Sequence, residues 1–154
     1  MEALIIQLLP LLIQIESSGN DKAIGDKGLA RGCLQIHRGY WQDGCERLKV
    51  DWNYEEGSFD RVKSIKVAYA YLVRYGKAYE KLTGKKATPE VLARIHNGGP
   101  LGWKKDATKK YWLKVKKLLD NKDDKQYNTQ NKKKEKKHER TRKNNGSIGK
   151  QNTA

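Results

Sequence analysis

The first fifteen residues, MEALIIQLLPLLIQI, are almost continuously apolar, and the run stops at Glu16, where Ser17-Ser18-Gly19-Asn20 begins. Apolar positions on every side predict a helix that forms the centre of a domain. At about fourteen residues it falls short of the roughly 20 that a membrane span needs. Glu2 stands where a secretory leader would carry basic residues, and no small-residue cleavage site follows, so neither a signal peptide nor a transmembrane segment is expected. Pro10 has no amide proton to give, which predicts a kink or a helix that restarts with Pro10 at its first position.

Beyond Glu16 the pattern alternates between loop and helix. Residues 20–36 are rich in glycine and short polar side chains, and the brief apolar set Cys33, Leu34 and Ile36 predicts a small strand or turn. From Ser58 to about Leu82, Val62, Ile65, Tyr69, Leu72 and Val73 recur at helical spacing, with Ser58 as N-cap. Thr88-Pro89-Glu90 reads as a cap, a first-turn proline and an early acid; Val91, Leu92 and Ile95 follow, and Gly98-Gly99 ends that helix. Asp106 is expected to cap a last helix, with Tyr111, Val115, Leu118 and Leu119 as its buried stripe and its lysines mostly in water. The fold class that follows is mostly α: a helical domain with a small β or loop region after the first helix.

Composition changes this picture at one end of the chain. The 154 residues are only 36% apolar, thin for one domain of that size, and the shortfall is local. Residues 1–120 carry 22 Lys+Arg against 14 Asp+Glu, whereas 121–154 carry 11 against 4 with almost no large apolar side chain. The expectation is a folded domain over 1–120 and a basic, disordered tail over 121–154 that attracts anionic surfaces. A nucleic acid is the less favoured partner, because the run KKKEKKHERTRK lacks the interleaved aromatics that stack on bases, Tyr127 apart. Two cysteines, Cys33 and Cys45, exclude a disulfide-dense miniature and leave open one bridge or two thiols. A metal set of Cys33, His37, Cys45 and His96 has no Cys-x-x-Cys or His-x-x-x-His pair to anchor it, so neither a metal nor a cofactor is expected.

The candidate chemistry gathers around Glu16. A carboxyl half buried by its own helix yet opening onto a polar loop is set to have a raised pKa and to donate a proton at neutral pH. An acid at a helix C-terminus also opposes the dipole, so its presence there calls for a reason. Cleaving a glycosidic bond requires a proton for the leaving oxygen and a carboxylate or positioned water on the other side of an oxocarbenium-like carbon. Glu16 suits the first role. Asp26 is the best candidate for the second, with Asp21 as its rival; the plain alternative is that Asp26 only shapes a turn with Gly25 and Gly28.

ESSGN followed by AIGDKGLARGCLQI resembles the catalytic signature of soluble lytic transglycosylases and goose-type lysozymes. GCLQIHRGYWQDGC, the Tyr-rich helix ending in LVRYGK, and ARIHNGGPLGWKKDATKKYWLKV resemble the invertebrate-type lysozymes, or destabilases, and the two resemblances together cover roughly residues 11–119. They imply Glu16 as general acid, with Gln35, Tyr40, Trp41, His96 and Asn97 lining a saccharide cleft. Each of the five also has a structural reading: core aromatics for Tyr40 and Trp41, a helix C-cap for His96 and Asn97, a backbone partner for Gln35. The chain departs from invertebrate-type lysozymes in its two cysteines and its shorter loop before Gln35-Ile36, and, unlike them, it is expected to carry no leader.

The resemblances imply a lysozyme-like glycosidase that cleaves the β-1,4 bond between N-acetylmuramic acid and N-acetylglucosamine in peptidoglycan; with no export signal expected, it would be made in the cytoplasm and act on the wall after release, as a phage or bacterial lysin does. Two alternatives stand beside it. A single-acid transglycosylase would form anhydro products by attack of the sugar's own 6-hydroxyl, and a non-catalytic module would bind wall or nucleic acid through the same fold.

Overall fold

The computed structural model describes residues 1–122 together with Lys133 and Lys136, so the expected tail lies almost wholly outside the described residues. Helix α1 is Glu2–Ser17, and it buries Ile5, Leu8, Leu9, Leu12 and Ile13. The expectation of burial on all sides is not met. Ile6 is 62% exposed, because the helices packed on α1 cover one side of it only. The helix neither stops nor restarts at Pro10. Pro10 and Ile6, whose carbonyl loses the amide partner that Pro10 lacks, both lie on the solvent side, where water can serve that carbonyl.

α1 ends at Ser18 in the left-handed conformation, with the Ser18 amide bonded to Gln14 O. A two-stranded antiparallel hairpin follows: β1, Ile24–Gly25, and β2, Ala30–Arg31, with Ile24 opposite Arg31 and Gly25 opposite Ala30. A 3-10 turn, Asp26–Gly28, joins them. A small strand or turn was expected around Cys33, Leu34 and Ile36, and a turn forms over residues 32–35. Cys33, Leu34 and Ile36 are buried, and Ile36 meets the hairpin only through a single bridge to Arg31.

Two helices come next that hydrophobic periodicity did not predict: α2, Arg38–Leu48, and α3, Tyr54–Gly57. α2 buries only Trp41, Gly44 and Cys45, a stripe in which a glycine replaces an apolar side chain. Helix α4, Arg61–Thr83, starts later than expected, for Asp60 caps it by accepting from the Lys63 amide. Ser58 is fully buried instead, its own amide donating to Tyr54 O and its carbonyl accepting from Ser64 Oγ, and its hydroxyl meets no amide of the helix, so it is not the cap. The buried face of α4 includes Val67, Ala68, Tyr71 and Leu72, while Val62 is 61% exposed.

Helix α5, Pro89–Gly98, has the expected start, with Thr88 Oγ1 accepting from the Val91 amide at 3.3 Å and Pro89 in the first turn. Asp106 is not the cap of the last helix. It opens a 3-10 turn, Asp106–Thr108, and its carboxylate takes the Lys109 ammonium at 2.7 Å instead of a backbone amide. Residues 109–117 are helical and bury Tyr111 and Val115. They complete one compact unit, Met1–Lys117. In the second unit, Leu118–Ala154, residues 118–122 are helical, and Leu118 and Leu119 are half-buried where full burial was expected.

The architecture is the expected class: mostly helical, with one small sheet placed directly after the first helix. α1 packs on α4 and α5, and α4 packs most extensively on α2. That arrangement brings the C-terminal end of α1, the hairpin, and one side chain each from α2 and α4 to the same wall as the end of α5. Among the described residues no helix is long and apolar enough to cross a membrane.

Candidate active site

A cleft of about 470 Å³ opens at the end of α1, and its lining includes Glu16, Asp26, Gln35, Tyr40, His96 and Asn97. Six of the seven expected site residues are thus brought together from five stretches of chain. The last turn of α1 supplies Glu16, the hairpin turn Asp26, the turn over residues 32–35 Gln35, the first turn of α2 Tyr40, and the end of α5 His96 and Asn97.

Trp41 is the exception, and the expectation that it lines the cleft is corrected. It is 1% exposed, donates Nε1–H to Trp52 O at 2.8 Å, and packs edge-on against Tyr54. Consecutive residues on a helix point about 100° apart, so with Tyr40 turned to the cleft Trp41 turns to the core. Gln35 does both things foreseen for it: it lines the cleft, and its Nε2–H donates to Gly32 O at 2.9 Å.

Glu16 is held tightly. Tyr111 Oη donates to Glu16 Oε1 at 2.7 Å, and His96 Nε2 lies 3.5 Å from the same oxygen. The Glu16 side chain is 18% exposed and that of His96 only 3%. Burial pushes the Glu16 carboxyl up, but the His96 hydrogen bond, the Tyr111 hydroxyl and the Lys114 ammonium together outweigh it and hold the group below its ordinary value. This reverses the raised pKa expected from the sequence. The half-buried position at a helix end was legible there; the three partners that arrive from α5 and the last helix were not.

Asp26 faces the cleft from the hairpin turn, with its Oδ2 at 3.3 Å from His37 Nε2. Both side chains are more than half exposed, 59% and 52%. Asp21, its rival, is engaged elsewhere. Its carboxylate accepts from Arg61 Nε at 2.8 Å, and Arg61 Nη2 reaches back to Gly19 O, which pins the loop after Glu16 to the start of α4.

Two tyrosines of the site were not foreseen as such. Tyr71 lines the cleft and stacks on Tyr40, ring centroids 3.5 Å apart and 12° from parallel. Tyr111 was expected in the core and is there, but its hydroxyl is also the shortest contact of Glu16. The signal for Tyr111 was the Tyr-Trp pair that follows HNGGP; for Tyr71 the helical stripe pointed to Tyr69 instead.

Among the described residues no group of three or more His, Cys, Asp or Glu is arranged to hold a metal, and Cys33, His37, Cys45 and His96 do not form one. Cys33 and Cys45 are buried free thiols. Burial, with Asp21 nearby, pushes the Cys33 thiol up to about 11, away from reactive thiolate character.

Comparison with known proteins agrees with this geometry. The lysozyme of Ostrea edulis is 37% identical over 91 residues, 58% of this chain, and the chain spans 61% of that protein's length. The lysozyme of Meretrix lusoria is 36% identical over 90 residues, with 68% of its length covered. The crystal structure of Tapes japonica lysozyme superposes with a TM-score of 0.60 at 30% identity, over 72% of this chain and 87% of that one. The Transglycosylase SLT domain matches residues 1–119, a span that takes in every element lining the cleft, and the chain therefore belongs to that family, with the fold of the invertebrate lysozymes.

Proposed function

We propose that the chain is a peptidoglycan glycosidase that cleaves the β-1,4 bond between N-acetylmuramic acid and N-acetylglucosamine, with Glu16 as general acid. The observation that carries this reading is a single carboxyl group, nearly buried at the floor of a polar cleft, held by a tyrosine hydroxyl and an imidazole. Those two contacts fall on Oε1, and among the described residues no donor meets Oε2, which is the oxygen free to protonate the leaving group.

In the free protein Glu16 is ionised at neutral pH, so the acid must gain its proton as the glycan enters. A sugar over the carboxyl removes its remaining water and disfavours the charged form. Activity is accordingly expected to rise toward acid pH. Asp26, which also lines the cleft, takes in this reading the part of the carboxylate facing the positive charge that develops on carbon, and His37 holds it. Gln35 and Asn97 offer amides to the N-acetyl and hydroxyl groups, and Tyr40 a ring edge. The catalytic part is residues 1–120, and the excess of 33 Lys+Arg over 18 Asp+Glu favours an anionic polymer such as the cell wall, with 121–154 as the wall-directed segment.

Glu16→Gln tests the reading, since the amide keeps the shape but cannot give a proton, and general acid catalysis is worth about 10²–10⁴-fold. Digestion of purified peptidoglycan should fall by at least that lower figure with wall binding retained; activity within threefold of the parent would overturn it. Mass analysis of the products separates hydrolysis, which leaves reducing muramic acid ends, from transglycosylation, which leaves anhydro ends.

A further inference from the structure

His96 lines the cleft yet exposes only 3% of its side chain, too little to serve a sugar and enough to serve its neighbours. Its two ring nitrogens have separate partners: Nδ1 lies 3.0 Å from Tyr40 Oη, and Nε2 lies 3.5 Å from Glu16 Oε1. We propose that Tyr40 and His96 are a positioning pair for Glu16, in which Tyr40 Oη donates to Nδ1, keeps the imidazole proton on Nε2, and so aims an N–H at Oε1.

The argument runs from Tyr40. Its hydroxyl keeps its proton, because burial, then Tyr71 and Glu16, all oppose a phenolate there. The hydroxyl has one hydrogen to give, and Nδ1 at 3.0 Å is the acceptor it meets among the described residues, which accepts only when it carries no proton of its own. The neutral ring then carries its hydrogen on Nε2, facing the carboxylate. With Tyr111 donating to the same oxygen, two donors converge on Oε1 and fix the rotation of the carboxyl group, so that Oε2 alone is presented to the glycosidic oxygen. The 3.5 Å separation is long for a hydrogen bond and is expected to shorten when a sugar closes the cleft. The titratable and charged groups around this pair are Glu16 from α1, Tyr71 from α4, Tyr111 and Lys114 from the last helix, and Asp26 and His37 in the cleft lining.

The catalytic consequence rests on the proposed function, but the positioning itself can be read without turnover. The full chain, labelled with 13C at the glutamate carboxyl carbons, is titrated by NMR, and Glu16 is assigned by its absence in Glu16→Gln. His96→Ala removes the N–H from the carboxylate and should raise the Glu16 midpoint by about one pH unit, a tenfold change in proton affinity. His96→Gln, whose amide nitrogen reaches the same place, should restore most of it. Tyr40→Phe keeps the stacking on Tyr71 but frees the ring to put its proton on Nδ1 and its lone pair on Glu16, and it should raise the midpoint as well. A midpoint unmoved in His96→Ala, or raised equally in His96→Gln, overturns the pair as a donor to Glu16. Where His96→Ala does not fold, Tyr40→Phe decides by the same criterion. Digestion of peptidoglycan across pH is the second readout: its basic limb should move with the midpoint, which a merely structural loss would not cause. Glu16-dependent digestion with an unmoved midpoint sinks the pair and leaves the glycosidase reading standing; a moved midpoint without digestion does the reverse.

Discussion

Gly44 lies where α2 packs against Val67 of α4, and replacing it with alanine tests how that contact builds the site. A Cβ placed on Gly44 would sit 2.7 Å from both Cγ1 and the carbonyl oxygen of Val67. Carbon and carbonyl oxygen normally meet at about 3.3–3.6 Å, so α2 must retreat by about 0.6 Å or more. Val67 cannot yield easily, since one contact is backbone and the other a stiff β-branched side chain that is fully buried. Overpacking of this kind costs about 1–3 kcal/mol, against about 0.5–1 kcal/mol gained by exchanging glycine for alanine within a helix. The expected net effect is a loss of up to about 2.5 kcal/mol by urea denaturation. Gly39→Ala, in the same helix with open space around it, is the control and should be neutral or stabilising by up to about 1 kcal/mol. Tyr40 rides on α2, so Gly44→Ala should also weaken peptidoglycan digestion beyond what its stability loss explains, and Gly39→Ala should not. Equal stability of the two variants would refute the close-packing argument.

Three further outcomes are expected. Tyr111→Phe removes the shortest donor to an ionised carboxylate, worth about 1.5–3 kcal/mol at neutral pH; because the Glu16 pKa is depressed in the fold, this stability is present above the ordinary carboxylate range and is lost as pH falls through the Glu16 pKa, so parent and variant should converge in acid denaturation series. Asp26→Asn should reduce peptidoglycan digestion by orders of magnitude with little change in melting temperature; a fully active variant giving anhydro products would make Asp26 a turn residue and the chemistry single-acid. Truncation after Lys122 should leave turnover of short soluble muropeptides unchanged and weaken lysis of whole walls, with the gap closing as salt rises from about 0.01 M to about 0.15 M and the Debye length falls from about 30 Å to about 8 Å.

What the sequence made legible was local. The Thr88-Pro89 start of α5, the extent of α1 and the glycine-rich turn after it follow from rules that act over a few residues, and all three are present. α2 was hidden because its contact with α4 uses the absence of a side chain at Gly44, which leaves no apolar period to read. Ser58 was a plausible cap until the fold buried it and left Asp60 two residues later to do the same work in water. The site shows the same division. The residue types around the cleft could be named, but which face of α2 meets it is a tertiary matter, and it separates Tyr40 from Trp41. The sign of the Glu16 shift is tertiary too, since burial and the three opposing partners differ only in what arrives from distant parts of the chain.

The backbone of the hairpin turn bears on whether Asp26 is more than a turn former. Asp26 and Lys27 are both left-handed, with φ of 47° and 54°, followed by Gly28 at 96°. Aspartate tolerates that region through bonds to its own backbone, but lysine has no such recourse, and the left-handed conformation costs a non-glycine residue about 1–2 kcal/mol. A turn selected only to join two strands of two residues each would be served at less cost by Asn-Gly. Strain of this kind persists where the surroundings demand a particular direction of a side chain. Here the turn aims Asp26 into the cleft, and His37, immediately before α2, meets its carboxylate at 3.3 Å. The hairpin, too short to contribute much to the core, thus holds Asp26 at the cleft, and the strained Lys27 is the cost of that placement.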